Sequence, residues 1–137
     1  MEIKELVQEV RNDNHIIKLK QEELERLKRL CEVAGIKYGG ERTGGSRDNS
    51  KHEKAIMNYI EYKDSLAEYI LEAIERRKTL TGKIDQLKNK RQLEIMYAYS
   101  ISSQSFGKIA RDTGISKQRV SQIYNEALEE IQALDET

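Results

Sequence analysis

The stretch that decides the fold lies late in the chain, where residues 106–123 read Phe-Gly-Lys-Ile-Ala-Arg-Asp-Thr-Gly-Ile-Ser-Lys-Gln-Arg-Val-Ser-Gln-Ile. Its larger apolar residues have the spacing of two short helices that share a core: Ile109, Ile115, Val120 and Ile123. Gly114 falls between the two helices, where the turn needs a positive φ that a residue with a Cβ adopts only with strain. Ser105 and Ser116 precede the helices as N-caps. The stretch therefore predicts a helix-turn-helix.

The second helix of this motif should expose a polar face, because its apolar residues turn inward. That face carries side chains that can bond to base edges or phosphates: Lys117, Gln118, Ser121, Gln122 and Asn125, with Arg119 at the flank. Between Gln104 and Asn125 the basic residues outnumber the single acid, Asp112, and give a local charge of about +3. An ordinary helical hairpin with a solvated face would need neither the turn glycine nor this charge. We therefore predict that the motif binds DNA.

Two long amphipathic helices are predicted ahead of this motif. The first has apolar residues at alternating steps of three and four, interrupted by Asp13 and Lys20: Ile3, Leu6, Val10, Ile17, Leu24, Leu27, Cys31 and Ala34. The second repeats the spacing: Ile56, Tyr59, Lys63, Leu66, Ile70, Ala73, Arg77, Leu80, Ile84 and Leu87. The two seams can pack on each other as an antiparallel hairpin or on copies from another subunit, and the sequence leaves this open. A hairpin that turns near residue 45 would bring Asp13 close to Arg77.

The domain organisation follows from these patterns. Glycines cluster between the two helices, and residues 39–50 are predicted to form a flexible linker. The helical pattern changes between Gln86 and Lys90, and a short helix ending near Ser100 precedes the motif. The prediction is an all-α fold in which residues 1–87 form a long helical hairpin and residues 88–137 form the helix-turn-helix domain.

Composition excludes several classes of protein. No stretch is apolar enough to span a membrane, and Met1–Val10 carries charges where a secretory signal would be apolar, so the chain is expected to be neither membrane-spanning nor secreted. Cys31 is the only cysteine, which favours a reducing cytoplasm. His15 and His52 stand alone, without the ligand spacing of a metal site. No arrangement of residues suggests catalysis or a cofactor, so the chain is not expected to be an enzyme.

The segment from Ser105 to Ile131 resembles region four of bacterial sigma factors, the module that reads the minus-35 promoter element. The likeness is greatest in the stretch Gln-Ile-Tyr-Asn-Glu-Ala-Leu, residues 122–128. The whole plan, in which a long helical half precedes Leu93-Glu-Ile-Met-Tyr-Ala-Tyr99 and this motif, is similar to the sigma-factor-like transcription regulators of phages and prophages of Gram-positive bacteria, including the ArpU and RinA type.

The resemblance implies that Lys117, Gln118, Ser121 and Gln122 face the promoter, with Lys108 and Arg111 near phosphates. Together with the caps and flanks, the predicted DNA-binding residues are Ser105, Lys108, Arg111, Ser116, Lys117, Gln118, Arg119, Ser121, Gln122 and Asn125. The chain departs from the family at Gly107, where a better helix former is usual, and at Ser121, where Arg is common. No segment resembles sigma region two, so the resemblance does not extend to a complete sigma factor.

The sequence thus predicts a DNA-binding transcription regulator of phage or prophage type in the cytoplasm of a bacterial host. One such module contacts few base pairs, so a homo-oligomer or help from RNA polymerase is expected. Two alternatives stay open: a phage DNA-packaging recognition subunit, and a protein-interaction module that docks on RNA polymerase without touching DNA. A basic segment, residues 76–91, would contact phosphates, dock on an acidic partner, or form an ordinary solvated face.

Overall fold

The computed structural model describes residues 2–33 and 46–136, and within these ranges the chain is helical and contains no strand. Five α-helices follow one another: α1 (Ile3–Val33), α2 (Ser46–Ile84), α3 (Lys90–Met96), α4 (Phe106–Thr113) and α5 (Lys117–Asp135). A π-helical segment, Tyr97–Ile101, continues directly from α3. None of the helices in these ranges is both long and apolar enough to cross a membrane. The all-α prediction is confirmed.

The linker prediction covered residues 39–50, of which residues 39–45 lie outside the described part of the chain. Residues 46–50 belong to α2, so the prediction is wrong for them. Gly45 is the last glycine of the cluster, and no glycine or proline follows it before Ser50. Nothing in that short polar stretch therefore opposes a helix strongly.

The chain divides into two compact units. Unit 1 combines Met1–His15 with Glu72–Thr137, and unit 2 is Ile16–Leu71. This division differs from a split into residues 1–87 and 88–137, because the first turns of α1 and the last turns of α2 belong with the helix-turn-helix. Hydrophobic periodicity shows which face of a helix is buried, but it does not show which other element covers that face.

Unit 1 has a single hydrophobic core, and every helix contributes to it. α1 supplies four buried residues near its start, and the end of α2 supplies Leu80 and Ile84. Leu87, between α2 and α3, also belongs to this core, and the later helices fill the rest of it, with Ile95, Met96, Ile109, Val120, Ile123, Tyr124, Ala127 and Ile131. The helix-turn-helix therefore shares its core with the first turns of α1 and the last turns of α2.

α1 and α2 pair within unit 1 through an ion pair set among apolar layers. The guanidinium of Arg76 donates from Nε to Asp13 Oδ2 at 2.7 Å and from Nη2 to Asp13 Oδ1 at 3.0 Å. The sequence predicted that Asp13 would lie near Arg77, so the antiparallel register is right within one residue. Arg77 is exposed and instead donates to the carbonyl oxygen of Ile101.

In unit 2 the same two helices run antiparallel with little apolar surface enclosed. The ammonium of Lys20 lies 5.8 Å from the ring centre of Tyr62 and 5.2 Å from that of Tyr69, which explains why a lysine occurs in the predicted seam. The thiol of Cys31 donates to the carbonyl oxygen of Ala55. The seam of α2 therefore runs through Ala55 and Tyr62, one residue before the predicted Ile56 and Lys63, both of which are exposed.

Candidate nucleic-acid interface

The turn between α4 and α5 has the geometry that its sequence indicates. Gly114 adopts φ 76°, and its N–H donates to the carbonyl oxygen of Ala110 at 2.9 Å. The hydroxyl of Ser105 accepts from the N–H of Lys108, and that of Ser116 accepts from the N–H of Arg119, both at 3.1 Å. The left-handed glycine and both serine N-caps are confirmed.

The two helices of the motif share the expected core. Ile109, Val120 and Ile123 are buried, and Ile115 is half-buried beside the turn. Tyr124 is buried as well, although the sequence gave no indication that it would face inward. Burial, together with the neighbouring Tyr99, raises the pKa of the Tyr124 hydroxyl to about 12. Tyr124 is therefore a neutral core residue and is unavailable to DNA.

The remaining side chains of α5 form an exposed face. Nine of the ten predicted DNA-binding residues are exposed, namely Ser105, Lys108, Arg111, Ser116, Lys117, Gln118, Arg119, Gln122 and Asn125. Ser121 is half-buried and contributes less to this surface. We call the exposed residues of α5 from Lys117 to Asn125 the reading face. Its amide and cationic side chains are the kinds that bond to base edges and phosphates.

Acidic neighbours partly neutralise this surface. Lys108 Nζ lies 3.1 Å from Asp112 Oδ2, and Arg119 Nη1 lies 3.6 Å from Glu126 Oε1 and 3.2 Å from Gln122 Oε1. Exposed pairs of this kind contribute about 1 kcal/mol or less, so a phosphate can displace them. Among the described residues, no carboxylate lies within 4.0 Å of Arg111 or Lys117. These two cations are ready to meet a phosphate without first breaking an ion pair.

A cluster of three aromatic rings supports the motif from behind. Tyr99 from the π-helical segment stacks on Phe106 at the start of α4, with ring centres 4.6 Å apart, and meets Tyr124 of α5 edge-on at 4.7 Å. The guanidinium of Arg11, from α1, lies 3.8 Å from the centre of the Tyr99 ring. The cluster therefore connects the start of α1 to both helices of the motif.

Polar side chains from α1 hold the segment that precedes α4. Arg11 donates to the carbonyl oxygens of Tyr99 and Gln104, and Asn14 donates to the carbonyl oxygen of Ile101 at 2.9 Å. Asn14 also donates to the hydroxyl of Ser103 at 2.7 Å, where the backbone has a positive φ of 56°. We call Arg11 and Asn14 the polar clamp. Sequence reasoning missed it, because no local pattern links residues that lie 87 to 93 positions apart.

Three of the seven basic residues in the segment 76–91 form ion pairs. Arg76 pairs with Asp13, Lys83 Nζ lies 2.7 Å from Asp135 Oδ2, and Arg91 Nη1 lies 3.0 Å from Glu94 Oε1. Its exposed basic residues without an ion pair in the described part of the chain are Arg77, Lys78, Lys88 and Lys90. The segment therefore keeps part of the positive charge that the sequence indicates, but only the surface of α4 and α5 combines cations with several exposed amide side chains on a helix-turn-helix.

Comparison with known proteins found no family model, no curated protein and no solved structure that matches this chain.

Proposed function

We propose that this chain is a DNA-binding transcription regulator of the phage or prophage type, acting in the bacterial cytoplasm. It reads promoter or operator DNA by placing α5 in the major groove while α4 lies against the backbone, as helix-turn-helix motifs do. Gln118, Gln122 and Asn125 contact base edges. Arg111 and Lys117 contact phosphates.

The observation that carries this proposal is the reading face on a rigidly supported helix. Val120 and Ile123 fix one side of α5 in the core of unit 1, Ser116 caps its start, and the opposite side carries only polar and basic side chains over its first turns. A surface amphipathic helix needs polar residues of any kind on its outer face. Here the first turns have amides and cations, whereas the acids Glu126, Glu129 and Glu130 follow in the second half of the helix.

The direct test is selection of duplex DNA from a random pool by the full chain, followed by sequencing of the bound fragments. Enrichment of a defined motif is the expected result. A single site beside a minus-10-like element would indicate cooperation with RNA polymerase, and paired half-sites would indicate a dimer that acts alone. Absence of any enrichment would contradict the proposal and favour docking on a polymerase surface.

Three substitutions separate base reading from phosphate contact. Gln122→Ala should cost about 1–3 kcal/mol on the selected duplex and relax the preference at one base pair. Arg111→Ala should weaken selected and scrambled duplexes alike and lower the salt dependence by roughly one counterion. The matched control is Gln132→Ala, the same change at an exposed position later in α5. If all three variants and the parent bound both duplexes with equal affinity, α5 would not be part of the contact with DNA.

A further inference from the structure

α2 carries a second row of apolar residues, apart from those that contact α1. The outer stripe consists of Met57, Ile60, Asp64, Ala67 and Leu71, spaced alternately three and four residues apart. Its three large side chains are 52%, 44% and 64% exposed, respectively. Alternating steps of three and four are the spacing of a helix-packing seam, which places the whole row on one side of α2. The outer stripe thus has the form of an interface for another helix.

Nothing else in the described part of unit 2 covers this surface. Leu66 is the one buried hydrophobic residue of the unit there, and two paired helices offer no third element to enclose the remaining apolar side chains. A row of exposed large apolar side chains at helical spacing is typical of an interaction site in soluble proteins. The charges beside the stripe indicate what the partner is.

The two flanks of the outer stripe are charged differently. Lys63 lies on one side, and Glu61 and Glu68 lie on the other side together with Lys54. All four are exposed without an ion pair among the described residues. When two identical helices pack in parallel and in register, each residue of one flank faces the opposite flank of the other copy, five residues further along. Lys63 of each copy would then face Glu68 of the other. In an antiparallel pair each flank would meet the same flank of the other copy, so Lys63 would lie beside Ile56, Ile70 or another Lys63 and would gain no acidic partner.

The polar member of the stripe, Asp64, would face Asp64 of the other copy in a parallel pair that is in register. Lys63 of each copy lies just before this position, at the side of the layer. Each Asp64 carboxylate would therefore have a cation of the other copy beside it, and the two lysines would offset the repulsion between the two carboxylates. The neighbouring layer is formed by Ala67, which leaves room for polar side chains.

We propose that a second copy of this chain packs on the outer stripe, with the two α2 helices parallel and in register. The C-terminal ends of the two α2 helices then lie at the same end of the pair. Both chains therefore continue towards their helix-turn-helix motifs from that end. This interface goes beyond the proposed function and does not depend on it, because association is measured without DNA.

The first experiment measures mass and tests the surface. Light scattering on the full chain should give twice 15.9 kDa at micromolar concentration. Leu71→Glu should weaken dimerisation at least about tenfold, since a buried leucine contributes more than the 1.4 kcal/mol that corresponds to that factor. Leu19→Glu, at a side chain of α1 that is 50% exposed, is the matched control and should leave the dimer intact. Circular dichroism verifies that both variants keep their helix content. A parent that stays a monomer would overturn the proposal.

The second experiment tests partner and orientation together. Lys63→Glu and Glu68→Lys should each weaken the dimer when alone, because like charges then face each other in both copies. Mixed together they should form a heterodimer that is tighter than either homodimer, a result that requires a second copy in parallel. Ala67→Cys in a Cys31→Ser background should oxidise to a covalent dimer, whereas Ser65→Cys should not. Failure of both the mixing and the cross-linking would overturn the parallel arrangement.

Discussion

Units 1 and 2 contain parts of the same two helices, α1 and α2, but they bury apolar surface very differently. In the described part of the chain, every buried hydrophobic residue except Leu66 lies in unit 1, and every large exposed one except Ile74 lies in unit 2. The difference arises because three further helices pack on the long helices in unit 1 and none does in unit 2. A pair of helices gains a core only when something covers its second face.

The difference between the two units predicts that the folding of the helix-turn-helix depends on distant parts of the chain. A fragment of residues 88–137 loses the core residues from α1 and α2 and also the polar clamp. We expect this fragment to lack a cooperative thermal transition and to show a poorly dispersed proton–nitrogen spectrum.

A matched fragment sharpens this first prediction. Residues 1–15 joined to residues 72–137 by a short glycine-serine loop keep all of unit 1, and Asp13 pairs with Arg76 near that junction. This single chain should fold and melt cooperatively. If the shorter fragment folded equally well, the shared core would not be needed, and the boundary at residue 88 would describe an independent domain.

A smaller effect is expected from removing one leucine from each unit. Leu80 is fully buried in unit 1 and Leu66 is nearly buried in unit 2, and both lie on α2. Leu80→Ala should cost about 2–5 kcal/mol of unfolding free energy, because the enclosed core cannot fill the cavity. Leu66→Ala should cost less, since neighbouring side chains can close the gap from an open side. Urea titration of the full chain measures both, and equal losses would mean that unit 2 is as well packed as unit 1.

The parts of the fold that the sequence predicted are those encoded within a few residues. A serine N-cap and a glycine in the left-handed region act on their own helix end, so Ser105, Ser116 and Gly114 were recognisable. The register of the hairpin was predicted within one residue. A heptad pattern shows which face of each helix is apolar, but it does not distinguish two adjacent residues at the edge of that face. The polar clamp and the burial of Tyr124 depend on contacts across the chain, which no local periodicity contains.

Substitution in the polar clamp should lower the free energy of unfolding by an intermediate amount. Arg11→Met keeps an unbranched side chain but removes the hydrogen bonds to the carbonyl oxygens of Tyr99 and Gln104 and the contact with the Tyr99 ring. We expect a loss of about 1–3 kcal/mol, since two half-buried carbonyls lose a charged donor. Lys4→Met, an exposed change on the same helix, is the control and should alter stability by no more than about 0.5 kcal/mol. Equal melting temperatures for both variants would show that α1 supports the motif through apolar contacts alone.

Replacing each of the two glycines of the motif by alanine should change the free energy of unfolding in opposite directions. These are the smallest effects that we expect. Gly114→Ala places a Cβ at φ 76° and should destabilise unit 1 by about 1 kcal/mol. A Cβ at Gly107 would meet only the hydroxyl of Ser105, at 3.9 Å, so Gly107→Ala should stabilise the chain by up to about 0.5 kcal/mol. Thermal melts followed by circular dichroism can resolve the two. A loss in both variants would mean that position 107 also needs glycine.

The core of unit 1 has a consequence for how the protein is made, because it joins early and late parts of the chain. Ile3 leaves the ribosome long before Ile131, and both belong to the same core. The motif therefore cannot complete its folding until synthesis has passed residue 131. Pairing of α1 with α2 in unit 2 needs only residues 16–71 and can come first. The ion pair between Asp13 and Arg76 also needs only the first two helices, so part of the loop-closure entropy has already been lost when the last helix arrives. In a nascent chain, resistance to protease should appear first in the hairpin and only later in the motif.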